Sequence, residues 1–412
     1  MRAVVHLAGN IAPVLAGLVT APLTARALGP ESRGELAIVL LVSVLIGLVG
    51  AFGLGPLARQ AVSEDIGLSH GWSRRGQRIT VLSASVAALI GLVIGIALNL
   101  AWPETAATVS FLALAGMSAS KSIDANILIV AGRTKHFGIA NLAAAGVICA
   151  GIVAAFIVGW LSLWVVIGLN AAALIVQMLY IAVQRQRFLT KIVASELGKE
   201  RFGLLAKRAW RAWRSQLVEA ALLRSDSLLF ITQASVTMVG YYAVVALIPQ
   251  MSYQVFQTLI QHSYATSPRL RIRQRTTILW QFCTLVSMPL AGAGAAAGLI
   301  LIPVLFGPEF IPSLELIVPA CCMAVSVAGL APVLQHFAIS PTGDGWFPLV
   351  CLAIAAGGWA VGINLGAGSG VVAMSAGFVL SSGAYVYLLS GLEAFKVSFD
   401  KFSRLYGRGS NG

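Results

Sequence analysis

The sequence predicts an all-α polytopic membrane protein with about twelve transmembrane helices in two six-helix bundles. Three observations predict it. Only 10% of the 412 residues are charged and 58% are hydrophobic, whereas a soluble domain carries roughly 25% charged residues, so there is too little polar surface to face water. Apolar runs long enough to cross a bilayer as a helix, about 20 residues each, recur along nearly the whole chain. The ~10-residue alternating segments of a transmembrane barrel do not occur in it.

Charges, prolines and glycine turns divide the chain into spans expected at 3–28, 34–58, 79–102, 105–131, 138–160, 161–183, 214–236, 238–265, 276–306, 311–338, 346–366 and 368–390. The first apolar run continues to Leu28 without the compact core and cleavage site of a signal peptide, so it is expected to remain as a span. The stretch from Arg26 to Ala37 then reads as the first outward turn. Gly29 and Pro30 break the helix there, and Glu31, Arg33 and Glu35 stay wet at the outer interface. Ser32 is placed to cap the second helix, with Glu35 three residues on completing a capping box.

The domain organisation expected from these spans is an N-terminal bundle at 1–183, a basic linker at 184–213, a C-terminal bundle at 214–390 and a tail at 391–412. A short echo crosses the linker: Gly34-Glu35-Leu36-Ala37-Ile38-Val39 is matched by Gly240-Tyr241-Tyr242-Ala243-Val244-Val245. Each lies where the second span of its half begins. Six spans per half return the chain to the same side, which makes a parallel repeat about an axis along the membrane normal.

Orientation follows from counting Lys and Arg in alternate loops. One set holds Arg59, Arg74, Arg75, Arg78, Arg133 and Lys135, the nine basic residues of 184–214, Arg269 to Arg275, and Lys396 to Arg408. The other set holds almost nothing basic except Arg33. Both termini are therefore expected to be cytoplasmic. Trp102, Trp160 and Trp164 fall near outer ends, and Trp72, Trp210, Trp213, Trp280 and Trp346 near inner ends, the pattern of interfacial aromatic belts. In the tail, Lys396, Phe399, Lys401, Phe402, Arg404 and Leu405 are spaced for a short amphipathic helix on the inner leaflet.

Several function classes are disfavoured. The net charge of +13 is distributed over loops between apolar spans, so it reads as topogenic and as contact with anionic membrane lipids; no nucleic acid is expected. The five cysteines lie inside apolar segments without metal-ligand spacing, and no metal site is expected. His6, His70, His136, His262 and His336 are scattered and read as interfacial polar packing in preference to a proton relay. There is no Walker motif, hence no expectation of direct ATP coupling, and no cofactor or catalytic residue is expected.

Ordered motifs along the chain carry a family resemblance. They are Ala25, Arg26, Leu28, Gly29, Pro30, Glu31, Gly34 and Ala37 in an A-R-x-L-G-P-E-x-x-G-x-x-A pattern, then Gly53-Leu54-Gly55, Asp226-Ser227-Leu228-Leu229, Gly240-Tyr241-Tyr242-Ala243 and Leu305-Phe306-Gly307-Pro308-Glu309-Phe310. This set resembles the oligosaccharide flippases of the polysaccharide-transporter family, within the multidrug/oligosaccharidyl-lipid/polysaccharide (MOP) exporter superfamily. The resemblance implies a MATE-like pair of bundles forming a V around a central cavity, in a bacterial cytoplasmic membrane. It implies export of a lipid-linked oligosaccharide by alternating access, with the polysaccharide polymerase and export machinery as candidate partners. The family's cavity charges vary, so no residue outside the Arg26 motif carries its role over.

The remaining site candidates come from charge placement, because a charge near the bilayer centre costs about 2.5–3.5 kcal/mol on insertion scales. Lys121 and Asp124 fall within the fourth span, and Glu219, Arg224 and Asp226 within the seventh. Lys121 and Asp124 are spaced i,i+3 and can neutralise each other; alternatively, Lys121 faces a watery cavity. Arg224 and Asp226 are two apart and point to different sides, so Arg224 is expected to find an anion in another helix or a substrate. A carrier diphosphate suits a planar guanidinium and a mobile ammonium. Arg26, Arg59, Lys121 and Arg224 are accordingly the substrate-binding candidates, with snorkelling as the other reading of Arg26 and Arg59. Asp124, Glu219 and Asp226 are the ion-coupling candidates, and they would serve the alternative function, a cation-coupled drug or metabolite antiporter of the same superfamily. A glycosyltransferase or polymerase is disfavoured because the outer loops are nearly bare, and an inverted-repeat permease because each half has an even number of spans.

Overall fold

The computed structural model describes residues 2–51, 53–193, 221–266, 272–339 and 346–390. Glu219, Trp210, Trp213, the tail at 391–412 and most of the linker expected at 184–213 lie outside the described residues. All regular structure among the described residues is helical. The chain divides into two compact units, Met1–Ala220 and Ala221–Gly412.

In the first unit, α1 (Arg2–Ala51) has two arms that meet at Gly29, whose φ of 72° and ψ of 175° are not helical. A residue before proline is barred from the α region, and only glycine takes a positive φ without steric cost. Pro30 then opens the second arm, where a missing N–H matters least. This corrects the capping expected of Ser32: the break is at Gly29, and Ser32 already lies inside the second arm. The second expected span, 34–58, is not one helix either. Gly53, at φ 65°, separates α1 from α2 (Leu54–Glu64). A 3-10 turn follows, with the Asp65 carboxylate accepting the Gly67 N–H at 2.8 Å.

The unit continues with α3 (Ser69–Ala97), α4 (Trp102–Val130), α5 (Thr134–Val158) and α6 (Leu163–Leu189). At the start of α4, the Glu104 carboxylate accepts the Ala101 N–H at 3.2 Å, and Gly159 at φ 74° ends α5, as glycine commonly ends helices. The helices α3 and α4 pack together, as do α1 with α5 and both α4 and α5 with α6. Two apolar clusters fill the unit. One joins Leu54, Ala58, Trp72, Ile123, Ile127, Ile181 and Phe188; the other joins Leu36, Val39, Ala87, Phe111, Leu112, Ile152 and Ile167.

The contact of α1 with α5 depends on glycine. A Cβ at Gly9 would lie 2.3 Å from Gly138 Cα, backbone that cannot give way. Overpacking of this kind costs about 1–3 kcal/mol. Gly9→Ala is therefore expected to lower the thermal unfolding midpoint in detergent micelles, while Gly17→Ala on the same arm, with nothing within 4 Å of the added carbon, leaves it in place.

The second unit holds α7 (Ser225–Gln233), α8 (Val236–Val245), α9 (Leu247–Thr266), α10 (Ile272–Leu301), α11 (Ile317–Ile339), α12 (Trp346–Leu365) and α13 (Ala367–Ser390). The eighth expected span, 238–265, is broken: α8 and α9 meet at a bend of 43°. Pro249 sits in the first turn of α9, where its ring collides with the carbonyl four residues back, that of Val245 at the end of α8. A π turn at Ile302–Phe306 and a 3-10 helix at Pro308–Leu316 lead from α10 to α11. Between them Gly307 has φ 101° and ψ 166°, so Gly-Pro-Glu occurs twice and bends the chain the same way both times. The paired glycines of the repeat also share a register: Gly34 follows the break at Gly29 by five residues, and Gly240 follows the α8 cap, Ser235, by five.

Eight helices among the described residues are long and apolar enough to cross a membrane, nine with the bent pair counted, and Leu349–Leu365 is a shorter apolar helix. The difference from twelve has identifiable sources. The two arms of α1 count once, and much of the seventh expected span lies outside the described residues. Trp102 and Trp160 are 77% and 75% exposed, as belt residues are. Trp72 and Trp280 are not belt residues: Trp72 is 2% exposed within the core, and buried Trp280 donates from Nε1 to Ser382 Oγ at 3.1 Å.

Candidate functional site

The polar groups of the first unit lie between and beside its apolar clusters. On α4, Ala115 belongs to one cluster and Ile123 to the other; on α6, Ile167 and Ile181 do the same. Lys121 and Gln177 occupy the intervals. Lys121 Nζ donates to Gln177 Oε1 at 2.8 Å, and Gln177 Nε2 donates to Asn141 Oδ1 on α5. Three helices thus meet through one ammonium and two amides. The Lys121 side chain is half-buried and Asn141 is buried.

Asp124 is not the partner of Lys121. Its carboxylate, 4% exposed, accepts from Arg185 Nη1 at 2.9 Å and from Ser73 Oγ at 3.1 Å. The i,i+3 neutralisation expected from the sequence is replaced by an ion pair between helices. Long side chains on a helix lean toward its N-terminus, so the Lys121 stem reaches away from Asp124. The Arg185 stem leans back from near the end of α6 to meet that carboxylate. Arg185 lies beyond the sixth expected span, 161–183, because the helix runs on to Leu189. Lys121 is left with no carboxylate against it among the described residues.

In the second unit, Asp226 lies in the first turn of α7 and is 3% exposed. Tyr242 on α8 donates its hydroxyl to Asp226 Oδ2 at 2.5 Å and stacks on Phe230, with ring centroids 4.1 Å apart and planes 13° from parallel. Asp226 Oδ1 is buried without a hydrogen bond of acceptable geometry among the described residues. Arg224 is half-buried at the N-cap of α7, where its carbonyl accepts the Leu228 N–H at 2.9 Å. Asp226 accepts from a phenol of the next helix, while Arg224 two residues away acts on it through its charge.

The other candidates are not gathered with these. Arg26 and Arg59 are exposed, on the first arm of α1 and on α2. Arg26 is three residues before the bend at Gly29, and Arg59 is one turn beyond Gly55, the residue of α2 that abuts Ser122 of α4. Arg33, expected to be wet, instead folds back across the bend: it is half-buried and donates from Nη1 to Thr24 Oγ1 at 3.2 Å. Sequence reasoning missed Gln177, Asn141, Ser73, Arg185 and Tyr242. For the two amides a signal existed, since each is a hydrogen-bonding side chain inside an otherwise apolar span, but only formal charges were weighed.

No family model matches the chain, and no curated protein matches it. Solved structures do. An inward-facing multidrug resistance MATE family transporter of the MOP superfamily matches over 100% of both chains, with a TM-score of 0.62 at 14% identity. The Vibrio cholerae MATE transporter VcmN matches over 99% of this chain and 97% of its own, with a TM-score of 0.62 at 14% identity. The lipid II flippase MurJ in an inward closed conformation matches over 98% of this chain and 89% of its own, with a TM-score of 0.63 at 12% identity. The chain has the fold of the MOP-superfamily transporters.

Proposed function

We propose that this protein is a flippase that moves a lipid-linked oligosaccharide, carried on a polyprenyl diphosphate, from the inner to the outer leaflet of a bacterial cytoplasmic membrane. It works by alternating access for cell-surface or exopolysaccharide assembly, without a covalent step or cofactor. Both termini lie on the cytoplasmic side, where the Lys and Arg residues contact anionic lipids, and the polymerase and export machinery receive the product. The observation that carries this reading is Lys121. It is an ammonium inside an apolar bundle, bonded to an amide, with the nearest carboxylate along its helix already engaged by Arg185. An uncompensated intramembrane charge is expensive and marks a substrate pathway by default. A compact diphosphate is the anion that offsets it. The lipid II flippase among the solved neighbours supports the same class of cargo.

A second reading, a cation-coupled drug or metabolite antiporter, is favoured by Asp226, a buried carboxylate that accepts from the Tyr242 phenol, and by the MATE neighbours. One experiment separates them. In a strain lacking the protein and any paralogue, the flippase reading expects lipid-linked sugar to accumulate facing the cytoplasm, reversed by the wild-type gene, with unchanged sensitivity to organic cations. Normal sugar export together with hypersensitivity to such drugs, lost in Asp226→Asn, would establish the antiporter instead.

A further inference from the structure

The hydrogen-bond chain of the first unit has a direction that chemistry dictates. An ammonium has three donors and no acceptor, so the Gln177 atom against Lys121 must be oxygen. The other end of that amide is then NH₂, and the Asn141 atom it meets must be oxygen. This orientation holds whichever way the amides would be assigned alone. What the chain leaves over is mostly donors: two N–H groups on Lys121, one on Gln177 and the Asn141 NH₂. Each amide oxygen has already accepted one hydrogen bond.

We propose that Lys121, Gln177 and Asn141 form a donor-rich, positively charged subsite that selects a phosphoanion and turns away cations. The inference rests on the flippase reading and deepens it: the amides are specificity residues that extend the positive field of Lys121 across α4, α6 and α5. A phosphate group, with acceptor oxygens only, meets every free group of the subsite. An organic ammonium meets the like charge of Lys121. The same chemistry is offered by a carrier diphosphate and by an anionic phospholipid headgroup, and the test separates them.

Full-length protein in detergent micelles is titrated with farnesyl diphosphate, followed by intrinsic tryptophan fluorescence. Farnesol, phosphatidylglycerol and tetraphenylphosphonium serve as competitors. Farnesyl diphosphate is expected to bind, with farnesol and tetraphenylphosphonium at least tenfold weaker. Asn141→Asp and Gln177→Glu preserve shape but replace donors by a carboxylate, and each is expected to weaken farnesyl diphosphate at least tenfold while keeping the wild-type thermal unfolding midpoint. Wild-type affinity in both variants would overturn the subsite and leave the flippase reading intact. Tight tetraphenylphosphonium binding with none of the diphosphate would overturn both. Competition by phosphatidylglycerol at equal concentration would assign the donors to bulk lipid and overturn the substrate selection. If either variant unfolds early, Lys121→Gln supplies the same comparison, with a loss of affinity supporting the subsite and an unchanged affinity overturning it.

Discussion

Lys121→Met is expected to reduce transport of lipid-linked sugar at least tenfold while the protein remains as stable as the wild type or becomes more so. The two effects separate because they arise from different states. In the resting protein the ammonium is half-buried and bonded to Gln177 at 2.8 Å, with no carboxylate against it among the described residues. Removing the ammonium removes its desolvation cost, which offsets the loss of one donor to the Gln177 oxygen. On the proposed function, a bound anionic substrate would pair with the same ammonium, and its loss would strand the phosphate in a low-dielectric region. A tenfold loss corresponds to about 1.4 kcal/mol, a modest demand for a charge-assisted hydrogen bond. The check is paired: accumulation of cytoplasm-facing lipid-linked sugar in cells carrying the variant, and thermal unfolding of the purified protein. Full transport by Lys121→Met removes the residue from the substrate path.

Arg185→Ala is expected to have the opposite profile, a large loss of stability. It leaves the Asp124 carboxylate buried with Ser73 alone. Breaking a buried pair by removing one partner costs about 3–5 kcal/mol, because the remaining charge is uncompensated. The double variant Asp124→Asn with Arg185→Met removes both charges together and is expected to recover most of that loss. Thermal unfolding midpoints of the three proteins in one detergent decide it. A wild-type midpoint for Arg185→Ala, or no recovery in the double variant, shows that the pair does not hold α3, α4 and α6 together. Asp124 is thereby expected to hold helices together, and of the ion-coupling candidates within the described residues Asp226 is the one whose carboxylate is not matched by a cation within its own hydrogen bonds.

Legibility in the sequence depended on how local the determining interaction is. The Gly29-Pro30 bend was readable because a residue before proline is excluded from the helix by its own neighbours. The same local rule acts at Gly307-Pro308, and Pro249 marks the break between α8 and α9, although the reading treated 238–265 as one helix. The exposed Trp102 and Trp160 were placed correctly at span ends, since amphipathic rings collect at the interface. Trp72 and Trp280 were misplaced, because whether a tryptophan near a span end faces lipid or core depends on the helices around it. Arg33 illustrates the same limit: its partner, Thr24, lies across a bend whose angle is not written in either arm.

The sequence by itself determined that the chain is an α-helical membrane protein, where Gly29-Pro30 breaks its first helices, and that Lys121, Asp124, Arg224 and Asp226 are charges within otherwise apolar stretches. These follow from hydrophobic run length, charge scarcity and backbone sterics, which act within a few residues of their cause. Only the tertiary structure decided which charges are spent on holding helices together. Asp124 went to Arg185 and Ser73, Asp226 to Tyr242, and Lys121 to an amide chain. A buried charge takes the partner that neighbouring helices bring within about 3 Å, and that partner can be dozens of residues away.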